Sequence, residues 1–128
     1  MERAIVFLVD TNILIYYLEG RQEAVDFLRR NRGNLAVSAI AWMEVLSYPF
    51  TPEQETVVRA FLNEFSLIEI TMPVMELAVS LRKQKKMKLP DAVIAATSIY
   101  HNMTLVTRNT KDFKGLSVQT DDPFIAVS

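Results

Sequence analysis

At 128 residues and 50% hydrophobic, the chain is long enough to bury one sizeable core and too apolar for a disordered segment, while its formal net charge of -1 at pH 7 names no partner. It contains no cysteine, which excludes disulfides, thiolate zinc sites and cysteine nucleophiles. Met1-Glu2-Arg3 precedes too short an apolar run for a signal peptide, and no run approaches the ~20 residues of a membrane span, so a single-domain, soluble cytoplasmic protein over residues 1–128 is expected.

Ile5 to Val9 is a short β-branched run of the kind that forms a buried strand. Ile13, Leu14, Tyr17 and Leu18 then recur at helical spacing, and Gly20 stands where a helix stops, so Asp10 lies at a strand-to-helix switch. Arg21 to Arg32 carries Val25 and Leu28 on one helical face, closed by Gly33. Leu35 to Val37 is a second strand, after which Ser38 can cap a helix through Tyr48 that Pro49 ends. Thr51-Pro52-Glu53 opens the next helix, whose stripe of Val57, Val58, Phe61, Leu62 and Phe65 is core. Leu67 to Ile70 reads as a third strand. Helix signals resume after Pro73, with Val74, Leu77, Ala78 and Leu81 inward, and a basic stretch follows from Arg82 to Lys88. Pro90 starts a small-residue helix, Asp91 to His101; Thr104 to Thr107 is a fourth strand and Leu116 to Gln119 a short fifth. Strands alternating with helices predict a parallel sheet flanked by helices, without internal repeats or a linker.

The residues that are missing narrow the chemistry. Gly20, Gly33 and Gly115 fall at two helix ends and a loop, so the chain has neither a P-loop nor a dinucleotide fingerprint. His101 is the only histidine and sits at a helix end, where a cap explains it. Carboxylates remain. Each has an ordinary structural explanation: Asp10 as a helix N-cap, Glu44 on a solvated helix face, Asp91 at a favourable helix N-terminus, Asp112 in a turn. Glu44, however, is the single charge in an apolar stretch, "SAIAWMEVLSY". Asp10 and Asp112 both follow strands, Glu44 lies in the helix after another, and strands of a parallel sheet end on one common edge that Asp91 can also reach.

Four carboxylates crowded at that edge raise one another's pKa, and a divalent cation relieves the repulsion. An all-oxygen donor set selects magnesium or manganese over zinc, and magnesium usually also binds a substrate phosphate. Such a centre activates water against a phosphodiester without histidine or cysteine. Arg108, beside the acidic edge, is the candidate phosphate contact, ahead of the Arg82, Lys83, Lys85, Lys86 and Lys88 stretch, which a solvated helix end would also explain.

"FLVDTNILIYYL", "AIAWMEVLSYP" and "KLPDAVIAATSIYHNMTLVTRNTKDF" together resemble the PIN-domain ribonucleases, particularly the VapC-type toxins of type II toxin–antitoxin pairs, over nearly the whole chain. The D-A-x-I-A-A helix followed by T-x-N-x-x-D-F is the most specific part. The resemblance implies a three-layer α/β/α fold with a central parallel sheet, an endoribonuclease using one or two magnesium or manganese ions, a homodimer, and neutralisation by a cognate antitoxin protein. It assigns the metal-binding acids to Asp10, Glu44, Asp91 and Asp112, and supporting polar positions to Thr11, Thr107 and Asn109. Asp121 and Asp122 are expected to be turn residues, and Tyr48, Phe50 and Phe124 are exposed candidates for an interface. Two other readings stay open: a catalytically inactive PIN-like RNA-binding or interaction scaffold, and a receiver-like signalling module. The latter requires a phospho-acceptor aspartate after a middle strand, where Ser66 and Glu69 supply none.

Overall fold

A computed structural model describes residues 5–125, so the reading of Met1-Glu2-Arg3 lies outside the described residues. The chain runs β1 (Phe7–Val9), α1 (Thr11–Leu18), α2 (Gln22–Arg30), β2 (Leu35–Ser38), α3 (Ala39–Leu46), α4 (Pro52–Leu62), β3 (Ser66–Ile68), α5 (Met72–Gln84), α6 (Leu89–Tyr100), β4 (Thr104–Val106), a 3-10 turn (Thr110–Phe113) and β5 (Thr120–Asp121). All four strand pairings are parallel, and the order across the sheet is β3-β2-β1-β4-β5.

Side chains alternate across a strand, and that alternation builds two cores. Val9, Leu35, Val37 and Val106 face Ile13 and Leu14 of α1, Phe27 and Leu28 of α2, Val45 of α3 and Phe61 of α4. Leu8, Ala36 and Leu105 face the other way, onto Val74, Ala78 and Leu81 of α5 and the small residues Ala92, Ala95 and Ala96 of α6. The result is the expected three-layer α/β/α arrangement. Local signals act as read: Ser38 Oγ accepts from the Ile40 amide at 3.2 Å, and Thr51 and Gln54 form a capping box at the start of α4. Gly20 adopts φ of +80° just beyond α1, a conformation that favours glycine.

Several boundaries differ from the sequence reading, among them β3, which lies at Ser66–Ile68 rather than Leu67 to Ile70. Helix α5 begins at Met72 rather than after Pro73, because proline is tolerated in a first helical turn. Helix α3 stops at Leu46, short of Tyr48. Strand β5 lies at Thr120–Asp121 rather than Leu116–Gln119: the ladder to β4 registers Leu105 on Thr120 and Val106 on Asp121, while Leu116 and Val118 pack into the second core. Asp121 is therefore a strand residue, and Asp122 forms the turn, accepting from the Phe124 amide at 2.9 Å. Among the described residues no helix is long and apolar enough to cross a membrane.

Candidate metal centre

β1 is the centre of the sheet, and the chain winds outward from it through β2 and β3, then returns to lay β4 on its other side. The gap beyond the C-terminal ends of β1 and β4 is thus a topological switch point, where neighbouring connections diverge and leave a crevice. Asp10 follows β1 and Thr107 follows β4, and the two meet there: the Thr107 hydroxyl donates to Asp10 Oδ2 at 2.9 Å. The Asp10 amide continues the ladder to the Val106 carbonyl at 2.9 Å, so strand pairing sets the position of this carboxylate directly.

Asp10 is also the N-cap of α1, its Oδ1 accepting from the Thr11 amide at 2.8 Å, as its structural explanation requires. Asn12 links the remaining parts. Its side-chain amide donates to Asp10 Oδ2 and to Thr107 Oγ1, both at 3.3 Å, and its Oδ1 accepts from the Arg108 amide at 3.2 Å. The Asn109 amide donates to Thr107 Oγ1 at 3.0 Å. Thr11 Oγ1 donates to Glu44 Oε1 at 2.6 Å, which brings the acid of α3 to the same crevice.

Asp10 is only 6% exposed. Burial raises its carboxyl to about 6 from the ordinary 3.8, with the charges of Asp91 and Glu44 pushing the same way and the bonds from Thr107 and Thr11 opposing them. Asp91, in the first turn of α6, is raised as well, first by burial and then by Asp112 and Glu44, against the opposing charge of Lys88. These mutual influences link all four predicted acids electrostatically. Glu44, Asp91, Asp112 and Asn109 line one open cleft of ≈ 750 Å³. The acids converge without closing: among the described residues no three Asp, Glu or His side chains gather as ligands of one ion. The donor set, all oxygen, fits a cation held through one or two carboxylates and its own waters better than a closed protein cage.

Arg108 lies apart from this cleft. Its Nε pairs with Asp122 Oδ2 at 3.4 Å, and its guanidinium sits 4.3 Å from the Phe124 ring centre. Phe124 is half-buried and also meets Tyr16 at 5.2 Å and Arg21 at 5.3 Å, so it is an internal contact rather than the exposed interface aromatic expected; Phe50 is half-buried too, and Tyr48 is exposed. In the sequence Asn12 reads, with Thr11, as a turn residue that holds Asp10 in place. Its role depends on β4 lying beside β1.

The observed strand order differs from the 2-1-3-4-5 arrangement of receiver domains. A family model described as PIN domain matches residues 7–118. Among solved structures, a chain of a toxin–antitoxin complex from Klebsiella pneumoniae is 43% identical, with a TM-score of 0.83 over 91% of this chain and 97% of that one. A chain of VapBC2 from Rickettsia felis, bound to a DNA fragment from their promoter, is 25% identical with a TM-score of 0.78, over 91% and 97% of the two chains. FitAcB from Neisseria gonorrhoeae, at 23% identity, a TM-score of 0.80 and 92% and 98% coverage, shares the fold. No curated protein matches.

Proposed function

The chain belongs to the PIN domain family, and from that premise we propose that it is the toxin of a toxin–antitoxin pair, an endoribonuclease dependent on magnesium or manganese. The observation that carries this reading is the carboxylate of Asp10, buried at the switch point, held by three side-chain and backbone donors and electrostatically coupled to Asp91 and Glu44. A buried, like-charged carboxylate group is costly without a cation, and a purely structural cap gains nothing from two acidic neighbours.

Asp10, Glu44, Asp91 and Asp112 are the carboxylates that would hold the ion, directly or through its waters, and the ion would supply a water of lowered pKa and charge stabilisation at a phosphodiester. Thr107 from the end of β4 and Asn12 from α1 orient Asp10, and Thr11 orients Glu44, so the polar residues act on the carboxylates rather than on the substrate. Asn109 holds Thr107 by its backbone and lines the cleft. An antitoxin partner is supported by the 43% identical chain coming from a toxin–antitoxin complex. A homodimer is part of the same proposal, and sedimentation of the isolated chain showing only monomer sinks that part.

The deciding experiment is cleavage of total RNA by the purified chain in magnesium, manganese or chelator, beside Asp10→Asn. Metal-dependent fragments made only by the unaltered chain are expected. Equal cleavage by Asp10→Asn removes that residue from the centre, and intact RNA under every condition turns the reading toward an inactive scaffold.

A further inference from the structure

The cleft containing Glu44, Asp91 and Asp112 has a second wall of opposite sign. Arg82, Lys85, Lys86 and Lys88, from the end of α5 and the segment joining it to α6, line it together with Lys111 of the 3-10 turn. None of these five cations pairs with a carboxylate: among the described residues the ion pairs are Arg32 with Glu64, Arg59 with Glu55, and Arg108 with Asp122. Two of the five are engaged by backbone carbonyls. Lys85 Nζ donates to the Lys114 carbonyl at 2.7 Å, tying the segment to the loop after the 3-10 turn, and Arg82 Nε donates to the Met87 carbonyl at 3.2 Å.

Lys86, Lys88 and Lys111 make no such bond and are exposed. Lys85 and Lys88 have extended backbone angles, at φ/ψ of -147°/136° and -69°/151°. Alternate residues of an extended segment share a side. Lys85 and Met87 are half-buried, while Lys86 and Lys88 are exposed. Among the described residues lining the cleft there is no aromatic ring, so bases find no stacking platform and contact falls on the phosphates. Arg108, clasped by Asp122 and Phe124, is committed elsewhere.

We propose that Lys86, Lys88 and Lys111 form a phosphate-contacting wall that leads an RNA strand past the carboxylates without selecting its bases, and that Arg108 takes no part in it. The inference rests on the ribonuclease reading for the identity of the strand. Its test is binding of a labelled single-stranded RNA to the Asp10→Asn chain, followed by fluorescence anisotropy across a salt series, with Lys86→Ala, Lys88→Ala, Lys111→Ala, the triple variant and Arg108→Ala. Each lysine removed is expected to reduce the slope of log affinity against log salt by about 0.7, and the triple by about 2. Arg108→Ala leaves the slope unchanged, and changing the base sequence leaves affinity unchanged. An unaltered slope in the triple variant, a loss of slope in Arg108→Ala, absence of RNA binding at low salt, or displacement of the RNA by polyglutamate at equal charge overturns the proposal. Cleavage by the otherwise unaltered chain is scored separately. Cleavage with an unaltered slope in the triple variant sinks the wall alone, whereas a reduced slope without cleavage in any metal sinks the nuclease alone.

Discussion

Asp10 shows how one side chain couples stability to the site. Its pKa in the fold, about 6, exceeds the ordinary 3.8, so the native state favours the protonated carboxyl. That stabilisation is complete below pH ~4 and is lost as pH rises through about 6, an effect of about 3 kcal/mol. Thermal melting of chelator-treated protein is therefore expected to show Tm falling across this interval, and the fall should shrink in Asp10→Asn, leaving the part that Asp91 contributes; a flat profile in the unaltered chain refutes the buried charge. Thr107 is fully buried and its hydroxyl donates to Asp10 while accepting from Asn12 and Asn109. Thr107→Val keeps the shape and removes these bonds, so urea unfolding should show a loss of about 1–3 kcal/mol, with the pH-dependent fall displaced upward and cleavage reduced. That Asp10 stands at the switch from β1 to α1 was legible from an apolar run ending in an acid. That Thr107 would hold it, 97 residues along the chain, was not, because nothing local in either segment encodes which strands lie side by side.

Among the elements, helices were read most securely, since each carries its own stripe and its own start or stop signal: the Thr51–Gln54 box, Pro90 in the first turn of α6, Gly20 after α1. Strands of two to four residues carry little periodicity, and β5 was displaced because Leu116 and Val118 are apolar for packing rather than for pairing. The segment after β5 illustrates what such short elements depend on. Phe124 lies among Tyr16, Arg21 and Arg108, and Asp122, with its side chain only 5% exposed, anchors Arg108. Phe124→Ala should lower stability by about 2 kcal/mol through lost aromatic and cation–π contacts. Hydrogen exchange should quicken around Arg108 and Asn109, whose amides bond to Asn12 and Thr107, while α6 stays protected; uniform protection throughout would mean that the segment does not brace this turn.

At the scale of the whole molecule, the parallel sheet gathers four acids from distant segments, and their repulsion is a property of the assembled edge rather than of any one element. Magnesium should raise Tm at pH 7 and much less at pH 4, where Asp10, with a pKa of about 6, is already protonated; equal Tm with metal and with chelator at pH 7 argues against a cation centre. By itself the sequence determined the class of fold, the order of its helices and the kind of chemistry available, because hydrophobic period, caps and the absence of cysteine and of glycine-rich loops are properties of short segments. Only the tertiary structure decided that β4 pairs with β1, that Asn12 and Thr107 therefore share Asp10, that the lysines between α5 and α6 share a cleft with the acids, and that Arg108 turns to Asp122 and Phe124. The physical reason is that strand order and the direction of a long flexible side chain are set by competition among contacts remote in sequence, which no local pattern records.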